Sequence, residues 1–370
     1  MFYSGRKVAC FPAISIIPCD TGAYITEEVI LTPEITISLI IPSHNRAQLV
    51  METVNSALNQ TRPFKEIIVV DDASTDDTLE RLSQFGDRIT VIPSSKIGVQ
   101  AARNMGVHAA KSQYITLCDS DDILVPEFVE EVSKWLAKCP DCDSLYVNYR
   151  SFTETRVEND ILSGAPHGFF DGAVFEGSFI HGVPDLYART VRFQPYLVSG
   201  VTIKKSFYEA IGGFNTAFDR VPAEDWEYTL RAISSGHTVM CTIPLVRIRH
   251  HNGNDSKNAL RQALGEVEVL KYAMQHHKAA SSYRKQLMDG INRRREEVFY
   301  EAFRQRNFPV AGAVLPLLEN KPRSLIFKMK KLIMMAHSIF NHYDLRTSLN
   351  FSAPSETPAS AKQFEGHSHS

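Results

Sequence analysis

The apolar run Tyr114 to Cys118 breaks abruptly into Asp119-Ser120-Asp121-Asp122, three carboxylates at the mouth of what reads as a buried strand. Carboxylates packed that tightly repel one another, so a positive partner is expected. Hard oxygen ligands suit Mg²⁺ or Mn²⁺, and such an ion spends its remaining positions on water and substrate phosphates. The expected substrate is therefore a metal-bridged phosphate ester or diphosphate. An aspartyl nucleophile with its acid partner two residues on, as in haloacid-dehalogenase-like phosphatases, is a second reading, and a solvated strand end with a helix cap at Asp122 is a third. The position of the cluster on the fourth strand, not the first, and the lack of a following Gly-Asp-x-x-x-Asp motif argue against the nucleophile.

Other strand ends carry complementary groups. Asp71-Asp72 follows an apolar run, and Asp72 can accept from a base N–H or a ribose hydroxyl. Ser43-His44-Asn45-Arg46 supplies further polar groups on a neighbouring strand end. Gly98 and Ala102-Arg103-Asn104-x-Gly106 can bring a guanidinium to a nucleotide while small residues let that helix pack close to the sheet. Glu224-Asp225-Trp226 opens a helix, where the dipole favours an ionised Asp and suits a general base. Arg249-His250-His251 offers imidazoles after a strand, as metal ligand or diphosphate contact. Taken one at a time, Arg103 could be a surface helix residue, Asp72 or Asp225 a cap, and the histidines structural; the combination is what carries chemistry.

The elements that must position these groups alternate. Strands are expected at 35–41, 66–70, 88–92 and 114–118, with helices at 46–60, after Asp76 through Leu82, and at 99–110. That alternation implies an α/β fold with a mostly parallel, doubly wound sheet covered on both faces, and ligands beyond the carboxyl ends of its strands. The stretch 151–194 lacks periodicity and reads as loops and short edge strands over the site. From Asn258 the pattern turns helical, with Leu260, Leu264, Val267, Leu270 and Met274 on one stripe.

Together the pieces resemble the inverting nucleotide-sugar glycosyltransferases of family 2, with the GT-A fold. The resemblance rests on Ile40 through Arg46, Ile68 through Asp76, Gly98 through Gly106, Tyr114 through Asp122, Gly212-Gly213-Phe214 and Glu224-Asp225, spanning about 36–256. It implies that Asp72, with Pro42 and Asn45 nearby, holds the base, and that His44, Arg46 and Asp71 belong to the same nucleotide-sugar site. His44 stands where the family often has a stacking Tyr, and Ala73 where Gly is common. Arg103 would approach the nucleotide and Asp119, with Ser120, the ribose. Asp121 would ligate Mn²⁺ or Mg²⁺ with Asp122 supporting, His251 would contact metal or diphosphate, and Asp225, beside Glu224, would deprotonate the acceptor hydroxyl.

The activity the resemblance implies is metal-dependent, inverting transfer of a sugar from a nucleoside-diphosphate donor, UDP-linked by that resemblance, to a hydroxyl of a saccharide or lipid-linked acceptor in bacterial-type cell-surface polysaccharide or glycolipid synthesis. A catalytically silent sugar-binding module on the same fold is the alternative from another class.

Composition sets the surroundings. The 370 residues suffice for one catalytic domain plus an appendage, divided as an N-terminal extension 1–34, a catalytic domain 35–257, a helical region 258–350 and a disordered tail 351–370. A formal net charge of −2 makes nucleic acid a poor bulk partner. Six cysteines are too sparse for a disulfide scaffold and fit a reducing cytosol. Cys139-Pro140-Asp141-Cys142 has CxxC spacing, but zinc needs two more ligands nearby, and a redox pair would open a helix where this one follows one. No window reaches the length of a spanning helix. The segment 321–343 has no acidic residue and interleaves Lys321, Arg323, Lys328, Lys330 and Lys331 with apolar side chains. It reads either as a peripheral contact with the inner face of the cell membrane or as a helix packed on the domain with solvated lysines.

Overall fold

The computed structural model describes residues 13–18, 24–29, 34–251, 258–319 and 327–334. The strands on the main path of the sheet are β1 (Ile37–Ser43), β2 (Glu66–Asp71), β3 (Thr90–Pro93), β4 (Tyr114–Leu117), β5 (Ser144–Phe152), β6 (Val174–Glu176), β7 (Phe179–His181), β8 (Thr202–Lys204) and β9 (Thr238–Arg249). They line up as β6-β7-β9-β5-β8-β4-β1-β2-β3. Pairings β2–β3, β1–β2, β1–β4 and β5–β9 are parallel, whereas β8 runs antiparallel between β4 and β5, and β7 antiparallel to β9. The expected mostly parallel sheet is present. Ahead of it, Ala13–Pro18 and Tyr24–Val29 pair as a separate antiparallel hairpin.

Helices α1 (Ala47–Leu58), α2 (Thr78–Ser83), α3 (Val99–Ala109) and α4 (Phe128–Lys138) alternate with the early strands. The pleat sends alternate residues of one strand to opposite layers. Ile40, Ile68, Val70, Ile115 and Leu117 pack on the face covered by α3. Leu39, Ile41, Ile67 and Val69 pack with Val50 and Val54 of α1 and Val132 and Trp135 of α4 on the other. Burial on both faces is why these strands read as continuous apolar runs. Gly106 sets the depth of α3: a Cβ there would lie 2.4 Å from Ile40 Cγ2.

β1 extends past Pro42, where the sequence suggested a stop. Ile40 O accepts from Cys118 N at 3.0 Å, so Ile40 faces β4, and by the two-residue period so does Pro42. The β1–β4 ladder has ended by then, its last pair being Ile40 with Leu117, so the missing N–H of Pro42 removes no ladder bond.

The 151–194 stretch contains the expected short edge strands and also a helix, α5 (Leu186–Arg192), whose Tyr187, Thr190 and Val191 are buried. After α6 (Lys205–Ala210) and α7 (Glu224–Ser235) come α8 (Ala259–His276), α9 (Arg284–Arg304) and α10 (Phe308–Val314). Leu260 and Val267 of α8 join Val298 and Phe299 of α9 and Val310 of α10 in a separate apolar cluster. The appended helical region is thus present. Within the basic segment, 327–334 is helical, with Phe327 and Met334 buried and Met329, Leu332 and Ile333 exposed. The rest of 321–343 and the tail 351–370 lie outside the described residues. Among those residues no helix is long and apolar enough to cross a membrane.

Candidate active site

A cleft of about 680 Å³ opens over the carboxyl ends of β1, β2 and β4 and is closed on its far side by the start of α7. Its walls contain Pro42, His44, Arg46, Asp72, Arg103 and Ser120, and all of Asp119, Asp121, Asp122, Glu224 and Asp225. Asn45 and Asp71 are not among the lining residues. Asp71, 1% exposed, accepts from Ser74 N at 3.1 Å and Ser74 Oγ at 2.5 Å, and so shapes the turn after β2. Asn45, at φ 50°, receives Thr75 N on Oδ1 at 2.7 Å and latches the β1 and β2 loops together.

Asp72 points the other way. Its carboxylate accepts from Ser94 Oγ at 2.7 Å, Ile97 N at 2.6 Å and Gly98 N at 2.9 Å. Burial acts to raise its pKa, but those three donors outweigh it and hold the group ionised below the usual carboxylate range. Near it, Ser43 Oγ, His44 Nδ1 and Gln100 Oε1 are buried without a hydrogen-bond partner in the protein, and all three residues face the cleft. Buried polar atoms are rarely left unpaired, so this end of the cleft is built for a polar ligand.

The four residues after β4 divide their tasks. Asp122 is buried, its Oδ2 accepting from Ser199 Oγ at 2.5 Å and its Oδ1 from Arg249 N at 3.0 Å. Ser199 Oγ in turn accepts from Asp119 N at 3.0 Å. Asp122 therefore fixes the loop, and burial beside Asp121 and Asp119 pushes its pKa well up. Asp121 is left facing the cleft, with Oδ2 3.0 Å from His251 Nε2 and 3.9 Å from Arg46 Nη2. One carboxylate oxygen and one imidazole nitrogen this close are a donor set that fits a divalent ion whose other positions go to phosphate oxygens and water.

Arg103, 3% exposed, connects the two sides of the cleft. It donates to Asp119 Oδ1 at 2.7 Å and to Glu224 Oε1 at 3.1 Å, with its guanidinium 5.0 Å from the Phe214 ring centroid. Phe214 is held in turn by Asn104, whose Nδ2 donates to Phe214 O at 2.9 Å and whose Oδ1 accepts from Phe214 N at 2.9 Å. The Gly212-Gly213-Phe214 motif is thereby a seat for Arg103. Gly213 is at φ 64°, and a Cβ there would come 2.7 Å from Asn104 Oδ1.

Asp225 stands beside this pair at the first turn of α7, one residue into the helix. Burial and the neighbouring Glu224 charge lift its pKa to about 7, against the opposing pull of Arg103. A carboxylate poised near neutrality suits proton abstraction from a hydroxyl.

Several wall residues were not legible in the sequence. Ser199 arrives through a turn whose Gly200, at φ 89°, passes against Val246 and Val147. Gln194 and Leu197 line the cleft from the same connection, and Arg261 and Gln262 line it from α8. The one sequence signal for the latter is Gly265 inside a helical pattern: a Cβ there would sit 2.3 Å from Pro222 O, so α8 lies directly on the loop that precedes Asp225.

Residues 38–183 match the family model Glycosyl transferase family 2. Over that stretch the chain is similar to the family, and its sheet and appended helices have the GT-A type of fold. It is 30% identical over 159 residues to an uncharacterized glycosyltransferase of Rickettsia felis, covering 42% of this chain and 25% of that protein. It is 27% identical over 238 residues to a UDP-Glc:alpha-D-GlcNAc-diphosphoundecaprenol beta-1,3-glucosyltransferase of Escherichia coli, covering 64% and 85%. Among solved structures, a mannosyltransferase of Pyrobaculum calidifontis in complex with GDP-Man and Mn²⁺ superposes with TM-score 0.51 at 19% identity, covering 85% of this chain and 84% of that one, which bears on the fold alone. The chain thus spans only a quarter of the length of the first of these relatives.

Proposed function

We propose that the cleft transfers a sugar from a nucleoside-diphosphate donor to an acceptor hydroxyl, with inversion at the anomeric carbon, and that residues 35–257 form the catalytic domain with 258–350 appended. The observation that carries this reading is Arg103, which ties the donor-side Asp119 to the acceptor-side Glu224 and so fixes Asp225 across the cleft from Asp121. Neither a phosphatase nor a silent binding module has need of that coupling.

In this reading the base and ribose lie between Pro42, His44 and Asp72, where unpaired polar atoms await a partner. The imidazole of His44 stacks on the base, and Asp119 with Ser120 takes the ribose. Asp121 and His251 would hold Mn²⁺ or Mg²⁺, which when bound neutralises the diphosphate as a Lewis acid. Arg46 adds positive charge beside the leaving nucleotide. Asp225 accepts the acceptor's proton as its oxygen attacks, and Glu224, pinned by Arg103, keeps that carboxylate's pKa high. UDP as the carrier and a lipid-linked saccharide as acceptor are supported by the Escherichia coli relative, whose description specifies UDP-Glc and a diphosphoundecaprenol-linked sugar. The place of action follows as the cytoplasmic side of the cell envelope, the basic segment around 327–334 giving peripheral contact.

The test is a donor panel scored by nucleotide release and acceptor-product formation, run after chelation and again with Mn²⁺ or Mg²⁺ restored. One donor should turn over, metal should restore it, and Asp121→Ala should lose the response. Turnover of simple aryl phosphates in place of any sugar nucleotide would overturn the reading.

A further inference from the structure

At the other end of the sheet from the cleft, three potential metal-ligating side chains converge. Cys139 closes α4, Asp141 lies in the following turn, and His237 precedes β9, 98 residues after Cys139 in the chain. Cys139 Sγ is 3.0 Å from Asp141 Oδ1 and 3.8 Å from His237 Nδ1, and His237 Nδ1 is 3.8 Å from Asp141 Oδ2. Among the described residues this is the only group of three His, Cys, Asp or Glu ligand atoms that all lie within 4.8 Å of one another.

We propose that Cys139, Asp141 and His237 form a binding site for a zinc-class divalent cation, separate from the catalytic cleft, with a fourth position left to solvent. Thiolate, imidazole and carboxylate are a zinc donor set. Tetrahedral zinc with ordinary bond lengths separates sulfur from nitrogen by about 3.6 Å and nitrogen from oxygen by about 3.4 Å. The sulfur–nitrogen and nitrogen–Oδ2 separations need to close by only tenths of an ångström, while the 3.0 Å between Cys139 Sγ and Asp141 Oδ1 must open to about 3.6 Å.

The backbone around the site is already fixed. Asp143 Oδ2 accepts from His237 N at 2.9 Å, and His237 O accepts from Asp143 N at 3.0 Å and Ser144 N at 3.2 Å. The His181 ring, 5.9 Å from that of His237, covers its flank. The CxxC spacing proves to be incidental: Cys142 is fully buried beside Tyr114 and Trp135, and the ligand paired with Cys139 comes from the distant His237. The site lies at the amino ends of β5 and β9, roughly 23 Å from their cleft ends by the rise of seven strand residues.

Binding would exchange the thiol proton, released to buffer, for the metal–sulfur bond. Proton and metal compete for the Cys139 sulfur, so loading should weaken as pH falls. With the metal in place the end of α4 is stapled to the start of β9, a scaffold role with no part in transfer.

Cobalt(II) titration of the full chain under a non-thiol reductant tests this, since a cobalt–thiolate bond gives a near-ultraviolet charge-transfer band that oxygen ligands do not. The expected result is a band saturating at one cobalt per chain and displaced by zinc. It should be lost in Cys139→Ser and in His237→Asn, retained in Asp121→Ala, and accompanied by a zinc-dependent rise in melting temperature only where His237 and Cys139 are intact. Circular dichroism of the metal-free variants checks that both fold. A wild-type chain that takes up cobalt with no thiolate band, or a band that survives in Cys139→Ser, overturns the assignment. The transfer reaction is unaffected by either outcome.

Discussion

Arg103 donates to Asp119 Oδ1 at 2.7 Å from a position almost wholly buried, with its other arm 3.1 Å from Glu224. One planar guanidinium thus sets the spacing of both walls of the cleft. Its own pKa is raised: burial opposes the charge, but Asp119 and Glu224 more than compensate. A lysine has one charged nitrogen and cannot reproduce that fork. Arg103→Lys should lower kcat/KM by about 10²-fold, the scale of a lost positioning contact, whereas the uncharged Arg103→Gln should also move the acid limb of the pH profile upward, because the Arg103 charge restrains the Asp225 pKa. A profile whose midpoint stays in place would show that Arg103 does not act on Asp225.

Asp225 yields a prediction with two signs. The proposed base role requires the ionised form, so activity should rise with pH through about 7. Asp225→Asn should cost about 10²- to 10⁴-fold in kcat, the range of a general base. Stability runs the opposite way. The folded pKa lies above the ordinary value of 3.8, so the native state holds the proton more tightly, and stability falls as pH climbs from about 4 to about 7. The neutral asparagine escapes that penalty. Melting curves should therefore place Asp225→Asn above wild type at pH 8 and level with it near pH 3.5.

How much of this could be read beforehand follows from where each group sits. The strands were legible because both faces of the sheet are covered, leaving apolar runs at 37–43, 66–71 and 114–117. Asp119 to Asp122 were legible as charge where an apolar run stops, and Asp225 as a carboxylate opening a helix. The pleat was harder: Asp71 and Asp72 are adjacent and alike, yet one closes a turn and the other faces the cleft. The division between Asp121 and Asp122 depends on Ser199 and Arg249 N, 77 and 127 residues away, and no local pattern reports such partners. Arg261 and Gln262 reach the cleft only because Gly265 lets α8 approach Pro222. His237 was invisible for the same reason, the meeting of distant strand starts.

Gly106 tests the link between packing and site. Its position 2.4 Å from Ile40 Cγ2, measured from a virtual Cβ, leaves no room for a side chain unless α3 lifts from the sheet. Gly106→Val should destabilise the fold by about 1–3 kcal/mol, as overpacking does. Because α3 also carries Arg103, activity should fall even in the fraction that stays folded. Chemical denaturation beside active-site titration separates the two effects, and a stable variant with full kcat would refute the coupling.

Glu227 lies one helical turn past Glu224 and joins α7 to the appended helices. Its carboxylate accepts from Arg231 Nε at 2.6 Å and Nη2 at 2.9 Å, and lies 3.1 Å from His277 Nε2. His277 Nδ1 is 3.1 Å from Tyr187 OH of α5, while Arg231 Nη1 and Nη2 donate to Ile211 O and Gly213 O. One buried network therefore ties α7 to α5, to the end of α8 and to the loop that seats Arg103. Burial works to raise the Glu227 pKa, but His277 and Arg231 bring it below the ordinary value of 4.5. A depressed carboxylate contributes stability above its unfolded pKa and loses it as pH falls through the folded one. Glu227→Gln should thus destabilise by about 3–5 kcal/mol at neutral pH, the cost of orphaning a buried partner, with the difference from wild type shrinking below about pH 4.5. If the gap persisted unchanged at pH 3.5, packing and not charge would be the reason Glu227 matters.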